Sequence, residues 1–176
     1  VHTAQAAAQE AVRGQAFENG VELYQQALEV LEASTEAEPQ RVARLLLAMG
    51  DAQNRAGDGE SSIATFARAA RIARRVPVPE ILAYAALGVG LRFGQVFELG
   101  HYDPQQIALV EEALALLPDD QRSLRAQLWA RLATSRFWAD DAQTCVEYGQ
   151  RAVQIARACE ADHLDPLFDA LASQYL

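Results

Sequence analysis

Four stretches of the chain carry one arrangement of apolar positions. Val21, Tyr24, Leu28 and Leu31 stand at spacings of three, seven and ten from the first member, and Ile63, Phe66, Ala70 and Ala73 repeat them. Ile107, Val110, Leu114 and Leu117 do so again, as do Val146, Gly149, Val153 and Ala156. Such spacing lays one apolar stripe along an α-helix. Directly before the third member stands an alanine each time: Ala27, Ala69, Ala113 and Ala152, at intervals of 42, 44 and 39 residues. Seven residues ahead of it comes a small residue, Gly20, Ser62 or Cys145, with Gln106 as the exception. A register held over four segments marks an internal repeat.

The helices between these carry a second pattern, in which a large residue is followed by Leu or Met and then by a tiny one. Leu46, Met49 and Gly50 recur as Tyr84, Leu87 and Gly88, as Trp129, Leu132 and Ala133, and as Phe168, Leu171 and Ala172. A neighbouring helix can approach closely at the tiny position. Antiparallel pairs joined by short turns would then stack, because no single pair buries both its faces.

Breakers separate the periodic stretches. Pro39, Pro77, Pro79, Pro104, Pro118 and Pro166 all fall between them, and Asp103-Pro104 and Asp165-Pro166 place an N-cap acid before a proline at the first helical position. The glycine turns at Gly57-Asp58-Gly59 and Phe93-Gly94 mark stops within pairs. About nine helices are predicted, at 3–13, 17–33, 40–55, 60–75, 80–93, 104–116, 120–138, 142–160 and 166–176. Strand alternation is missing and alanine supplies about a fifth of the chain. The predicted class is all-α, in a single domain of 176 residues.

Composition narrows the functions. A formal charge of −9 disfavours nucleic acid, whose phosphates call for clustered cations. Every basic residue is Arg, and without Lys there is neither a phosphate loop ending in Gly-Lys nor a Schiff-base lysine. Cys145 and Cys159 fall on one predicted helix, roughly 21 Å apart at the α-helical rise, beyond disulfide reach. A reducing, cytoplasmic setting is expected. No apolar run approaches the ~20 residues of a membrane span, and no signal peptide opens the chain. With Val1 at one end and Gln174-Tyr175-Leu176 inside a helical pattern at the other, the chain reads as a segment of a longer protein.

These residues resemble the tetratricopeptide repeat, whose pattern is a Trp-x-x-Leu-Gly-x-x-Tyr helix followed by an Ala-x-x-x-Phe-x-x-Ala helix. The best copy is residues 46–69, with Leu46, Met49 and Gly50, the Gly57-Asp58 turn, Ser62, Phe66 and Ala69. Residues 4–27, 84–113 and 129–152 keep parts of the pattern, and Gly149 stands where an aromatic is usual. The repeats read as about 3–34, 39–76, 79–117 and 119–160, with a half repeat at 166–176. The resemblance implies a right-handed superhelical stack of antiparallel helix pairs, an α-solenoid. A repeat near 42 residues, against 34 in the standard family, resembles the helical regions of large bacterial signal-transduction ATPases and LuxR-type regulators. That likeness implies a regulatory interaction scaffold within a multidomain transcriptional regulator or signalling ATPase. Alternatives are an inducer-sensing domain of such a regulator, or a self-association module.

Nothing in the chain suggests catalysis, a metal or a cofactor. Gly88-x-Gly90-x-x-x-Gly94 has the wrong spacing for a dinucleotide loop and lies within a predicted helix. His2, His101 and His163 are scattered, the pairs Glu111-Glu112, Asp119-Asp120 and Asp140-Asp141 suit solvated faces and caps, and Ser61, Ser62, Ser123 and Ser135 have no partner at a diagnostic spacing. The first helix of each repeat would line a concave groove for a protein or peptide partner. Its candidate residues are Asp51, Asn54, Arg55, Arg92, Phe93, Arg131, Thr134, Phe137 and Trp138. Their arginines and aromatics would suit an acidic or aromatic-bearing segment, although Phe93, Phe137 and Trp138 could equally cap the core. Leu47, Ala85 and Ala130 stand where the chaperone-tail members of the family carry a basic carboxylate clamp. The apolar face Leu167, Leu171 and Tyr175 of the half repeat is a candidate homodimer contact.

Overall fold

A computed structural model describes residues 2–34, 38–89, 104–136 and 142–159. Among them no strand occurs, and eight α-helices follow in order: α1 His2–Arg13, α2 Phe17–Glu32, α3 Pro39–Arg55, α4 Gly59–Ala73, α5 Pro79–Val89, α6 Pro104–Leu116, α7 Arg122–Arg136 and α8 Ala142–Arg157. The count among the described residues is thus eight rather than the expected nine, and the ninth, at 166–176, lies outside them. Two compact units are described in turn, Val1–Val96 with α1 to α5 and Phe97–Leu176 with α6 to α8.

Local chemistry sets the turn between α3 and α4. Gly57 takes a φ of +86°, a left-handed conformation that costs a residue without Cβ little. The Gly57 N–H donates to the Asn54 carbonyl at 3.1 Å and the Asp58 N–H to the Gln53 carbonyl at 2.9 Å. These two bonds close α3 as a Schellman motif. Asp58 then opens α4, its Oδ1 accepting from the Ser61 N–H at 3.1 Å. One dipeptide ends one helix and starts the next. At the end of α1 the same left-handed position is held by Gln15, with φ of 62°.

In the first unit each helix packs on the next, and α3 also touches α5. Phe66 of α4 explains that contact. A Cβ added at Gly50 of α3 would lie 3.0 Å from its ring, and one added at Gly88 of α5 would overlap it. The ring therefore fills a notch that two glycines leave open, one on each side. Ser62, fully buried one turn earlier, donates from Oγ to the Gly50 carbonyl at 2.9 Å. Gly20 plays a related part between α2 and α1, where an added Cβ would meet Val12 at 2.7 Å.

The second unit packs α6 on α7 and α7 on α8. Ala126, Ala130, Ala152, Val153 and Ala156 form a buried cluster between α7 and α8, with Trp129 and Ile155 packed against it. Across both units the repeated alanines Ala27, Ala69, Ala113 and Ala152 are all completely buried. Helices crossing at 8–10 Å leave room there for a methyl group and little else.

Two expectations from the stripes are corrected. Val146 is an exposed residue of α8, and Val21 and Ile63 are only half-buried. The small residues just before them, Gly20, Ser62 and Cys145, are buried instead. They stand seven residues before the alanine, which returns them to its face of the helix. Tyr84 is 52 % exposed although its register mate Leu46 is fully buried. A phenol keeps its hydroxyl solvated at modest cost, which an aliphatic side chain cannot match.

Candidate functional site

The expected groove residues are placed unevenly. Asp51 and Arg55 form an i,i+4 ion pair at 3.0 Å on a half-exposed face of α3. Asn54, between them in sequence, is only 3 % exposed, so it belongs to the interior and not to a binding surface. Its position three residues after Asp51 turns it toward the packed neighbours. Thr134 of α7 donates from Oγ1 to the carbonyl of Arg131 at 2.9 Å, which ties its hydroxyl to its own helix. Arg131 and Thr134 are half-buried. Arg92, Phe93, Phe137 and Trp138, and the dimer candidates Leu167, Leu171 and Tyr175, lie outside the described residues.

Asp51 has a further neighbour. Tyr24 of α2 is buried, and burial raises its phenol above the ordinary value. The negative charge of Asp51 raises it further, while Arg13 pulls the other way.

A cleft that the sequence patterns did not bring forward lies in the second unit, where the start of α7 meets the end of α8. It encloses about 380 Å³ and is lined by Asp119, Arg122, Arg125, Arg151, Gln154, Ile155 and Ala158. Among the described residues, three arginines and one carboxylate line it, in a chain of net charge −9. Arg125 is anchored: Nη1 donates to the Leu117 carbonyl at 2.7 Å and to the Leu114 carbonyl at 3.1 Å, closing the end of α6. Its side chain is 16 % exposed, and Nη2 meets Asp119 at a loose 3.4 Å. Asp119 itself is 97 % exposed.

The other two arginines are less committed. Arg122 reaches the Ala158 carbonyl at 3.4 Å, at the end of α8. Arg151 lies over the Trp129 ring, its Cζ 4.3 Å from the centroid. Among the described residues no carboxylate pairs with Arg122 or Arg151. Trp129 is held in turn by Tyr148 of α8, with ring centroids 5.2 Å apart and planes at 49°. Beyond Tyr148 comes Arg136, 5.9 Å from its ring and paired with Glu111 of α6 at 2.6 Å.

The signal for this cleft was present in fragments. Arg122 and Arg125 share one face of a helix start, and Arg151, Gln154, Ile155 and Ala158 follow the i, i+3, i+4, i+7 pattern of one face of α8. Only the antiparallel pairing of α7 with α8 brings the two sets together.

Among the described residues no three His, Cys, Asp or Glu side chains cluster as metal ligands would, and no helix is long and apolar enough to cross a membrane. In comparisons with known proteins, no family model matches the chain and no curated protein matches it.

Proposed function

We propose that this chain is a non-catalytic interaction scaffold of the tetratricopeptide type, in which helix hairpins repeat to offer a surface to a protein or peptide partner. The observation that carries the reading is the seating of Phe66 between Gly50 and Gly88. That contact joins α3, α4 and α5 by stacking, so that one hairpin continues into the first helix of the next. Buried side chains there are spent on stacking, while polar groups such as Asp51 and Arg55 face outward in simple pairs. In its larger context the chain would be the right-handed superhelical segment of a cytoplasmic bacterial regulator or signalling ATPase. Partner binding would shift the equilibrium of the attached modules through differential affinity for their states.

The test is selection from a displayed library of extended peptides, followed by titration of the enriched sequences. A shared consensus that binds saturably, and binds more weakly when Arg55 or Arg131 is replaced by Gln, supports the scaffold. Enrichment no greater than that on an unrelated helical bundle would sink it. A thermal-shift screen against metabolites separates the sensor alternative, because saturable stabilisation by a small molecule would favour that reading.

A further inference from the structure

The structure assigns to the cleft between the start of α7 and the end of α8 a second role: we propose that it takes the paired carboxylates of an acidic segment in a partner protein. This deepens the scaffold reading and rests on it. Arg122, Arg125 and Arg151 line a cleft in which the one acid among the described residues, Asp119, is almost wholly solvated. Guanidinium groups recognise carboxylates through parallel N–H donors, which gives direction as well as attraction.

Placement adds to this. The first turn of α7 contains no acidic residue, and Arg122 stands at its first position. A cation there is set against the positive end of the helix dipole, and an arriving anion relieves both. Arg125 is already oriented by the Leu114 and Leu117 carbonyls, with Nη2 turned to a loosely held carboxylate that a partner's carboxylate can replace. Arg151 is oriented by the face of Trp129, and among the described residues no carboxylate pairs with it. Two guanidinium groups are therefore aligned in advance, which lowers the entropy lost on binding.

Shape fits the same ligand. About 380 Å³ lies at the small end of ligand-sized clefts and suits one or two acidic side chains, with Ile155 and Ala158 available to their methylenes and Gln154 to a backbone amide. A peptide is favoured over free phosphate because the lining joins apolar surface to the cations.

Trp129 is the reporter. There are two tryptophans, so the full chain carrying Trp138→Phe is titrated with N-acetylated tetraglutamate amide, with tetraglutamine, and with inorganic phosphate, all at one low ionic strength. The expected result is a saturable change of Trp129 emission with tetraglutamate alone. Arg122→Gln with Arg151→Gln should weaken it at least tenfold, Arg151→Lys should weaken it less, and Asp119→Asn should tighten it a few-fold. The cleft proposal falls if tetraglutamate gives no saturable change, if the double variant binds as the parent does, or if phosphate binds as tightly. Should peptide selection meanwhile yield a consensus without acids, the scaffold reading stands and the cleft alone is lost.

Discussion

The hairpin α3–α4 and the hairpin α7–α8 share one sequence register and hold together by different means. In the first, the position three residues into the stripe is Phe66, and its buried ring enters the notch between Gly50 and Gly88. In the second, that position is Gly149, and the aromatic stands one residue earlier, at Tyr148. One residue turns a side chain by about 100° around a helix. Tyr148 consequently meets Trp129 on a half-buried face, where Arg151 and Arg136 lie against the two rings. An aromatic aimed at the seam becomes a packing element. The same kind of group displaced around the helix becomes the support of a charged surface.

The sharpest way to break this comparison is to remove the ring from the seam. Phe66→Ala should destabilise the first unit by about 3–5 kcal/mol. Denaturant unfolding followed by circular dichroism should then show an early transition for Val1–Val96 and a later one for Phe97–Leu176. A single unshifted transition would deny Phe66 its part.

Filling the notch instead of emptying it gives the next effect. Gly88→Ala should cost about 1–3 kcal/mol through overpacking against the ring, despite the better helix propensity of alanine. Gly50→Ala, whose new Cβ would stand 3.0 Å from the ring, should cost less. No loss of stability in either variant, measured by thermal unfolding, would mean that the ring is not gripped from both sides.

For the other hairpin, a double-mutant cycle over Trp129→Leu and Tyr148→Leu should give a coupling of about 0.5–1.5 kcal/mol, the range for tilted aromatic pairs. Coupling near zero would place these rings together without mutual support.

The smallest effect concerns Tyr24, the register mate of Phe66 on α2. Its phenol titrates above the ordinary value of about 10 because burial and Asp51 both oppose the anion. The unfolded chain therefore releases this proton first as pH rises. The stabilisation is fully present below the unfolded value and is lost as pH climbs toward the folded one. Stability of the parent should fall above about pH 10, and Tyr24→Phe should flatten that decline. Identical alkaline profiles for the two proteins would remove Tyr24 from the account.

Helix class and the breaks between helices could be read from the chain alone. Each depends on spacing within one helix or on the chemistry of one turn, as at Gly57-Asp58, and neither requires knowledge of a neighbour. What lay beyond such reading concerns partners across helices. Asn54 and Tyr84 show it: the interior place of one and the exposure of the other depend on which helix lies alongside. The arginine cleft shows it more fully, since Arg122 and Arg151 lie far apart in sequence and meet only when α7 and α8 run antiparallel. Periodicity is a local property of the backbone, whereas the company a side chain keeps is settled when whole helices dock.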